Sequence, residues 1–197
     1  MRYFITAVFL LLLVKSAEGQ QFQLGLKTGL NFSTLHFEIR EIDIYKPRIG
    51  GHIGGSLSLN IGRRSSIKTE LLYSTEGARF KEQDDFIRIN RFSIPVLFNY
   101  HLTDKLRVES GLGFKFQINA RSKSEDELDD LFTSTDVGIS LGLEYTITER
   151  LGVSIRNYFG LTYQELELID QLGLSQGLIN GHRSNVLSIS MGYLLIR

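Results

Sequence analysis

The sequence predicts an all-β fold, an eight-stranded antiparallel up-and-down transmembrane β-barrel with three short periplasmic turns and four longer outer loops. Three observations carry this. Apolar and polar residues alternate over eight separate segments of about ten residues or slightly more, the period of a strand whose two faces meet different surroundings. The connections alternate in length, the plan of an outer-membrane barrel with both chain ends on the short-turn side. Finally, the apolar faces together hold about forty large side chains. An eight-stranded barrel has an interior only just wide enough to be filled by side chains, so the oily face points outward, into lipid.

The elements follow in order. FQLGLKTGLNFS (22–33) sets Phe22, Leu24, Leu26, Leu30 and Phe32 against Gln23, Gly25, Lys27, Gly29 and Asn31. HIGGSLSLNI (52–61) sets Ile53, Leu57, Leu59 and Ile61 against His52, Gly54, Ser56, Ser58 and Asn60. IKTELLYSTE (67–76) opposes Ile67, Leu71 and Tyr73 to Lys68, Glu70, Ser74 and Glu76. RFSIPVLFNYH (91–101) opposes Phe92, Ile94, Val96, Phe98 and Tyr100 to Arg91, Ser93 and Asn99. In LRVESGLGFKFQIN (106–119) the oily face faces away from Arg107, Glu109, Gly111, Gly113, Lys115 and Gln117. DVGISLGLEYTI (136–147) alternates without exception, with Asp136, Gly138, Ser140, Gly142 and Glu144 on its polar side. LGVSIRNYFGL (151–161) places Ser154, Arg156, Tyr158 and Gly160 together, and NVLSISMGYLLI (185–196) closes the series. GRRSS (62–66), LTDK (102–105) and TER (148–150) read as tight turns, and 34–51, 80–89, 120–135 and 162–184 as the longer loops. Pro95 falls mid-strand, where it has no N–H for a ladder; a bulge is expected there, or a position where its nitrogen faces away from a neighbour.

The N-terminus, MRYFITAVFLLLLVKSAEGQ, carries a basic Arg2, an apolar run from Phe4 to Val14 and a small-x-small site at Ala17-Glu18-Gly19. This is the pattern of a cleaved secretory signal peptide, residues 1–19, and the run falls short of the roughly 20 residues of a spanning helix. Residues 20–197 form the barrel domain. Taking Arg2, Lys15 and Glu18 from 22 basic and 22 acidic residues leaves 20 and 21, a net charge of −1. Such balance argues against nucleic acid as a partner, and the absence of Cys removes disulfides, thiol chemistry and Cys-based metal sites.

The polar face is then the lumen. Lys27, Lys68, Arg91, Arg107, Lys115 and Arg156 point in together with Glu70, Glu76, Glu109, Asp136 and Glu144. Six positive and five negative groups nearly cancel, and buried charge is tolerated when it is paired. A salt-bridged plug is expected in place of an open pore, with the interleaved glycines giving the long side chains room. Tyr100, Tyr145 and Tyr193 fall near the short-turn ends of their strands, at the level of an interfacial aromatic girdle.

With these features in place the chain resembles the PorT-type outer-membrane β-barrel family of Bacteroidetes-type gram-negative bacteria. The resemblance rests on the order of GLKTGLNFSTL, the Ile-Pro segment FSIPVLFNYHL, the glycine-rich VESGLGFKF, the Asp-x-Gly strand DVGISLGLEY, RNYFGLT and the Gly-Tyr strand SMGYLLI, over most of 20–197. It implies a barrel of the outer membrane and, from the best-known member, a part in protein secretion. The chain departs from outer-membrane strands that close on a terminal aromatic, since it ends Leu195-Ile196-Arg197.

Catalytic signatures are sparse. His36, His52, His101 and His182 show no metal-ligand spacing, and there is no Gly-x-Ser-x-Gly elbow. A Ser–His dyad built on Ser184 with His182, or on His52, stays open, since a dyad needs hydrogen-bond reach and an orienting acid. No cofactor and no metal site are predicted. Among the loops, HFEIREIDIY (36–45) extends a hairpin, and SKSEDELDDLF (122–132) holds a capping pattern at Ser124 and Glu127 within an acidic run. YQELELIDQLGLSQG (163–177) combines acidic residues with Leu166, Leu168, Ile169, Leu172 and Leu174, which suits either a protein partner or packing across the barrel mouth. The expected partners are outer-membrane lipid and envelope proteins met through the outer loops. The leading function is non-enzymatic, structural or interactive, with an accessory role in secretion or transport; a narrow passive channel and a lipid-modifying enzyme are the alternatives.

Overall fold

In the computed structural model, residues 22–37, 45–80, 86–122, 135–162 and 182–196 are described. Eight antiparallel strands close into a barrel in chain order: β1 Phe22–Phe37, β2 Tyr45–Asn60, β3 Ser65–Phe80, β4 Phe86–His101, β5 Leu106–Ser122, β6 Thr135–Thr146, β7 Leu151–Gly160 and β8 His182–Ile196. β1 closes on β8 through pairs running from Gly25 and Leu194 to Phe37 and His182, with one irregularity between Leu24 and Gly25. All eight predicted segments are strands. The signal-peptide reading of 1–19 lies outside the described residues, as do Ser124 and Glu127 and the apolar Leu166–Leu174 stretch.

The face assignment is decided by exposure. Among the described residues 33 large apolar side chains are exposed, from Phe22 to Ile196, against eight apolar residues that are buried. A wall of this kind is stable only against lipid, where the ladder satisfies every backbone group. The buried set is instead polar and charged, led by Glu109, Arg91, Asp136 and Glu70.

The short turns have a local cause. In both Thr103-Asp104-Lys105-Leu106 and Thr148-Glu149-Arg150-Leu151 the threonine hydroxyl accepts from the backbone N–H of the leucine (3.0 Å in each) and of the residue before it (3.3 Å in each). A side chain that stands in for a backbone carbonyl fixes a tight turn.

The strand ends on the long-loop side differ from the sequence reading: β1 runs to Phe37, β2 starts at Tyr45, β3 runs to Phe80, β4 starts at Phe86, β5 runs to Ser122 and β8 starts at His182, all inside segments read as loops. In β2 the cause is that Pro47, Gly50 and Gly51 break the alternation. The β2–β3 register slips by one residue between Pro47 and His52, and at Gly50 any Cβ would sit 2.0 Å from the Thr75 carbonyl oxygen. The bulge needs glycine there. Pro95 makes no bulge: it pairs with Gly113 on β5, while the β3–β4 ladder keeps its register but has no pairs between Thr69–Val96 and Leu72–Ser93. The missing N–H therefore falls on the β3 side. The irregularity of β4 lies at Asn90–Arg91 instead.

Candidate functional site in the barrel lumen

Strand parity delivers alternate residues to the interior, and closure brings side chains together that are distant in sequence. The eleven charged residues expected in the lumen all lie there, in two clusters. The lower one, nearer the short turns, centres on two buried carboxylates. Glu70 accepts from Arg156 Nη1 and Nη2 at 2.7 and 3.0 Å and from Lys27 Nζ at 2.9 Å. Glu109 accepts from Arg156 Nη2 at 2.6 Å and from Lys68 Nζ at 2.9 Å. Lys68 also reaches Glu144 at 2.5 Å, which in turn pairs with Arg107 at 2.5 Å. Arg156 is the keystone, one planar fork shared by two carboxylates from β3 and β5; such forked pairs are the strong form of ion pair.

The upper cluster is smaller. Lys115 Nζ donates to both oxygens of Glu76, at 2.8 and 2.9 Å, and its ammonium stands 3.7 Å from the Tyr158 ring centroid. Arg91 pairs with Asp136 at 3.1 Å, and the Ser184 hydroxyl donates to the same carboxylate oxygen at 2.5 Å. Glycines make this packing feasible. A Cβ on Gly138 would lie 2.5 Å from Tyr158 Cζ, and one on Gly113 2.8 Å from Cε2. That accounts for the mixture of carboxylates and glycines on one face of β6.

Between the clusters runs a neutral chain that the sequence did not disclose. His52 Nδ1 is 2.8 Å from Asn31 Oδ1, and His52 Nε2 is 2.9 Å from Ser190 Oγ. Asn31 Nδ2 donates to Ser74 Oγ at 2.9 Å, and Ser74 donates to Glu76 at 3.0 Å. Because Asn31 Oδ1 is an acceptor, Nδ1 of His52 carries the proton and Nε2 accepts from Ser190. The order is that of a Ser-His-Asn triad, yet the surroundings oppose that role. The cavity beside it is about 40 Å³, room for a water and not for an acyl group. The dyads considered from sequence are not assembled: Ser184 is engaged with Asp136, and His52 finds Ser190, 138 residues away.

Below the lower cluster the lumen opens into a vestibule of about 460 Å³ at the short-turn end, lined among others by Lys27, Lys68, Arg107, Glu144, His101 and Ser154. Tyr100, Tyr145 and Tyr193 are exposed on the outer wall at the same end. Across β5 Tyr100 meets Val108 and Tyr145 meets Leu106; across β7 Tyr145 meets Val153 and Tyr193 meets Leu151. Each step is two residues, as strand tilt requires.

A family model described as "Outer membrane protein beta-barrel domain" matches residues 16–163. Among solved structures, Neisserial surface protein A is similar at 11% identity over 89% of this chain and 99% of that chain, with a TM-score of 0.53. Ail, the attachment invasion locus protein of Yersinia pestis, is similar at 11% identity over 89% and 99%, with a TM-score of 0.50. At these identities the likeness is one of fold. A comparison with curated proteins gave no match.

Proposed function

The chain belongs to the outer membrane protein β-barrel domain family and is integral to the outer membrane, and from that premise we propose that it is a non-catalytic, closed barrel of PorT type, acting through its outer loops on envelope proteins in an accessory role in secretion or transport. The observation that carries the reading is the lumen: among the described residues two ion-paired clusters fill it, with the Asn31–His52–Ser190 chain tied to the upper one through Ser74 and Glu76. A barrel that conducts nothing through itself works by what it presents at its ends and wall. The PorT assignment is supported by the motifs, which fall on β1, β4, β5, β6, β7 and β8. Residues 1–19 are proposed to direct export and to be removed; N-terminal sequencing of the outer-membrane form should begin at Gln20.

The test of the interaction reading is in-membrane crosslinking of the tagged protein, followed by mass spectrometry of what co-purifies. One stoichiometric set of envelope proteins is the expected result, lost on exchanging loop 120–135 or 162–184. Nothing reproducible would sink it. A second reading, a narrow passive channel, is favoured by the vestibule of about 460 Å³, which reaches Lys27 and Lys68. Discrete conductance steps in planar bilayers would establish that reading in place of the first.

A further inference from the structure

The outer wall carries a belt of basic side chains that takes no part in the lumen network. Lys46 stands directly across from Arg79, and Arg88 directly across from Arg121. Arg79 pairs with Phe86, so Arg88, two residues on, is its diagonal neighbour. The Arg48 guanidinium lies 5.4 Å from the Phe86 ring centroid, and its Nη1 donates to the Glu76 backbone carbonyl at 3.2 Å. Lys46, Arg79, Arg88 and Arg121 are exposed and Arg48 is half-buried. Like charges set directly opposite across a ladder are destabilising, and here two such pairs sit side by side.

No anion of the wall compensates them among the described residues. The carboxylates there are Glu70, Glu76, Glu109, Asp136 and Glu144 in the lumen, and Asp104 and Glu149 in the short turns. The level is also common to the set. Counted from the short-turn ends of their strands, at about 3.3 Å per residue and roughly 40° of tilt, the four paired residues lie roughly 33 to 38 Å up the wall. The apolar band of such barrels is about 25 Å tall, so the belt stands roughly 8 to 13 Å past its outer edge, at the level of the headgroups. Among the described residues the belt runs across β2, β3, β4 and β5.

We infer that Lys46, Arg48, Arg79, Arg88 and Arg121 form a binding surface for the phosphate groups of an outer-leaflet glycolipid. Lys46, Arg79, Arg88 and Arg121 are exposed on the wall, at the level where the neighbours are lipid headgroups. Guanidinium forks match phosphate oxygens in pairs. Three strand spacings of about 4.8 Å give a belt some 14 Å wide, enough for a headgroup with more than one phosphate. A bridging anion turns the two like-charge pairs from a cost into contacts.

The test is a native mass-spectrometric titration of the mature barrel in non-ionic detergent, with bisphosphorylated lipid A, the same glycolipid without phosphate, and phosphatidylglycerol as probes. Each basic residue at an anionic membrane surface is worth about fivefold in binding, so R79Q/R88Q/R121Q should bind bisphosphorylated lipid A roughly a hundredfold more weakly and R121Q alone about fivefold. R63Q/R64Q, which removes charge at the opposite end, should bind as wild type, and the phosphate-free glycolipid should bind wild type no better than it binds the triple variant. Unboiled gel mobility establishes folding, and the single variant serves where the triple does not fold. Equal binding by R121Q and wild type, or equal binding of phosphatidylglycerol, would overturn the inference. Complete displacement by inorganic phosphate would make this a free-anion site and overturn the lipid assignment.

Discussion

Replacing Glu70 with Gln tests whether the lumen charges hold the barrel shut as a paired unit. The carboxylate takes Arg156 at 2.7 Å and Lys27 at 2.9 Å, with Lys68 at 3.6 Å. Its loss leaves four cations, Lys27, Lys68, Arg107 and Arg156, facing Glu109 and Glu144. Arg156 keeps Glu109 at 2.6 Å, and Lys68 keeps Glu109 and Glu144 at 2.9 and 2.5 Å. Lys27 has Glu70 as its one carboxylate among the described residues, so the penalty concentrates there. Breaking a buried pair costs about 3–5 kcal/mol; because Lys27 also borders the vestibule, the low end applies, about 3 kcal/mol. K27M alone leaves Glu70 with two cations and should cost about 1 kcal/mol, and K27M/E70Q about 2, a coupling of about 2 kcal/mol. Reversible urea unfolding from lipid vesicles, followed by far-UV circular dichroism because the chain has no Trp, reads all four corners of the cycle. An E70Q variant within about 1 kcal/mol of wild type, or a double variant no more stable than E70Q, would refute the reasoning.

Other consequences follow from the same geometry. Gly138→Ala drives a methyl into Tyr158 and to within 2.3 Å of the Phe159 carbonyl, and should cost about 1–3 kcal/mol in the same unfolding assay. Gly55→Ala meets nothing nearer than 3.8 Å and should stay within about 0.5 kcal/mol. Wild-type protein in planar bilayers should show no discrete conductance steps. Short-chain p-nitrophenyl ester hydrolysis should be the same for wild type and S190A, because the cavity beside Ser190 is about 40 Å³; activity abolished by S190A and H52A would show that substrate does enter.

The strands and the two faces were legible because a barrel in lipid keeps the period-two pattern for as long as one wall side is oil and the other is charge. Where that contrast fades, so did the reading. The segments 80–89 and 120–135 looked like loops, yet β3 runs to Phe80, β4 starts at Phe86 and β5 runs to Ser122. Beyond the oily band Arg79, Arg88 and Arg121 face outward while Ala78, Ile87, Ile89 and Ala120 are buried. Polarity there is inverted relative to the strand centre, and alternation alone cannot tell which side is which. Lumen membership of Lys27 or Arg156 follows from parity within one strand. Pairing does not, because it depends on the stagger of strands around the closed ring: Arg156 meets Glu70 across 86 residues, and His52 meets Ser190 across 138.

The interior chemistry also explains why function should be sought at the wall and ends. In a water-soluble domain oil fills the core and charge faces solvent; here the exchange of solvents exchanges the roles. Glu70, Glu109 and Asp136 are as buried as Leu97 or Ile89, and they serve the same purpose of fixing one packing. Charge does so with direction, since each carboxylate oxygen specifies a donor, which favours a single register of eight strands over its slipped alternatives. Pairing consumes the groups that could otherwise bind a solute or carry a proton. The basic residues of the wall that have no carboxylate partner among the described residues, Lys46, Arg79, Arg88 and Arg121, are those beyond the oily band, where a membrane phosphate would be within reach.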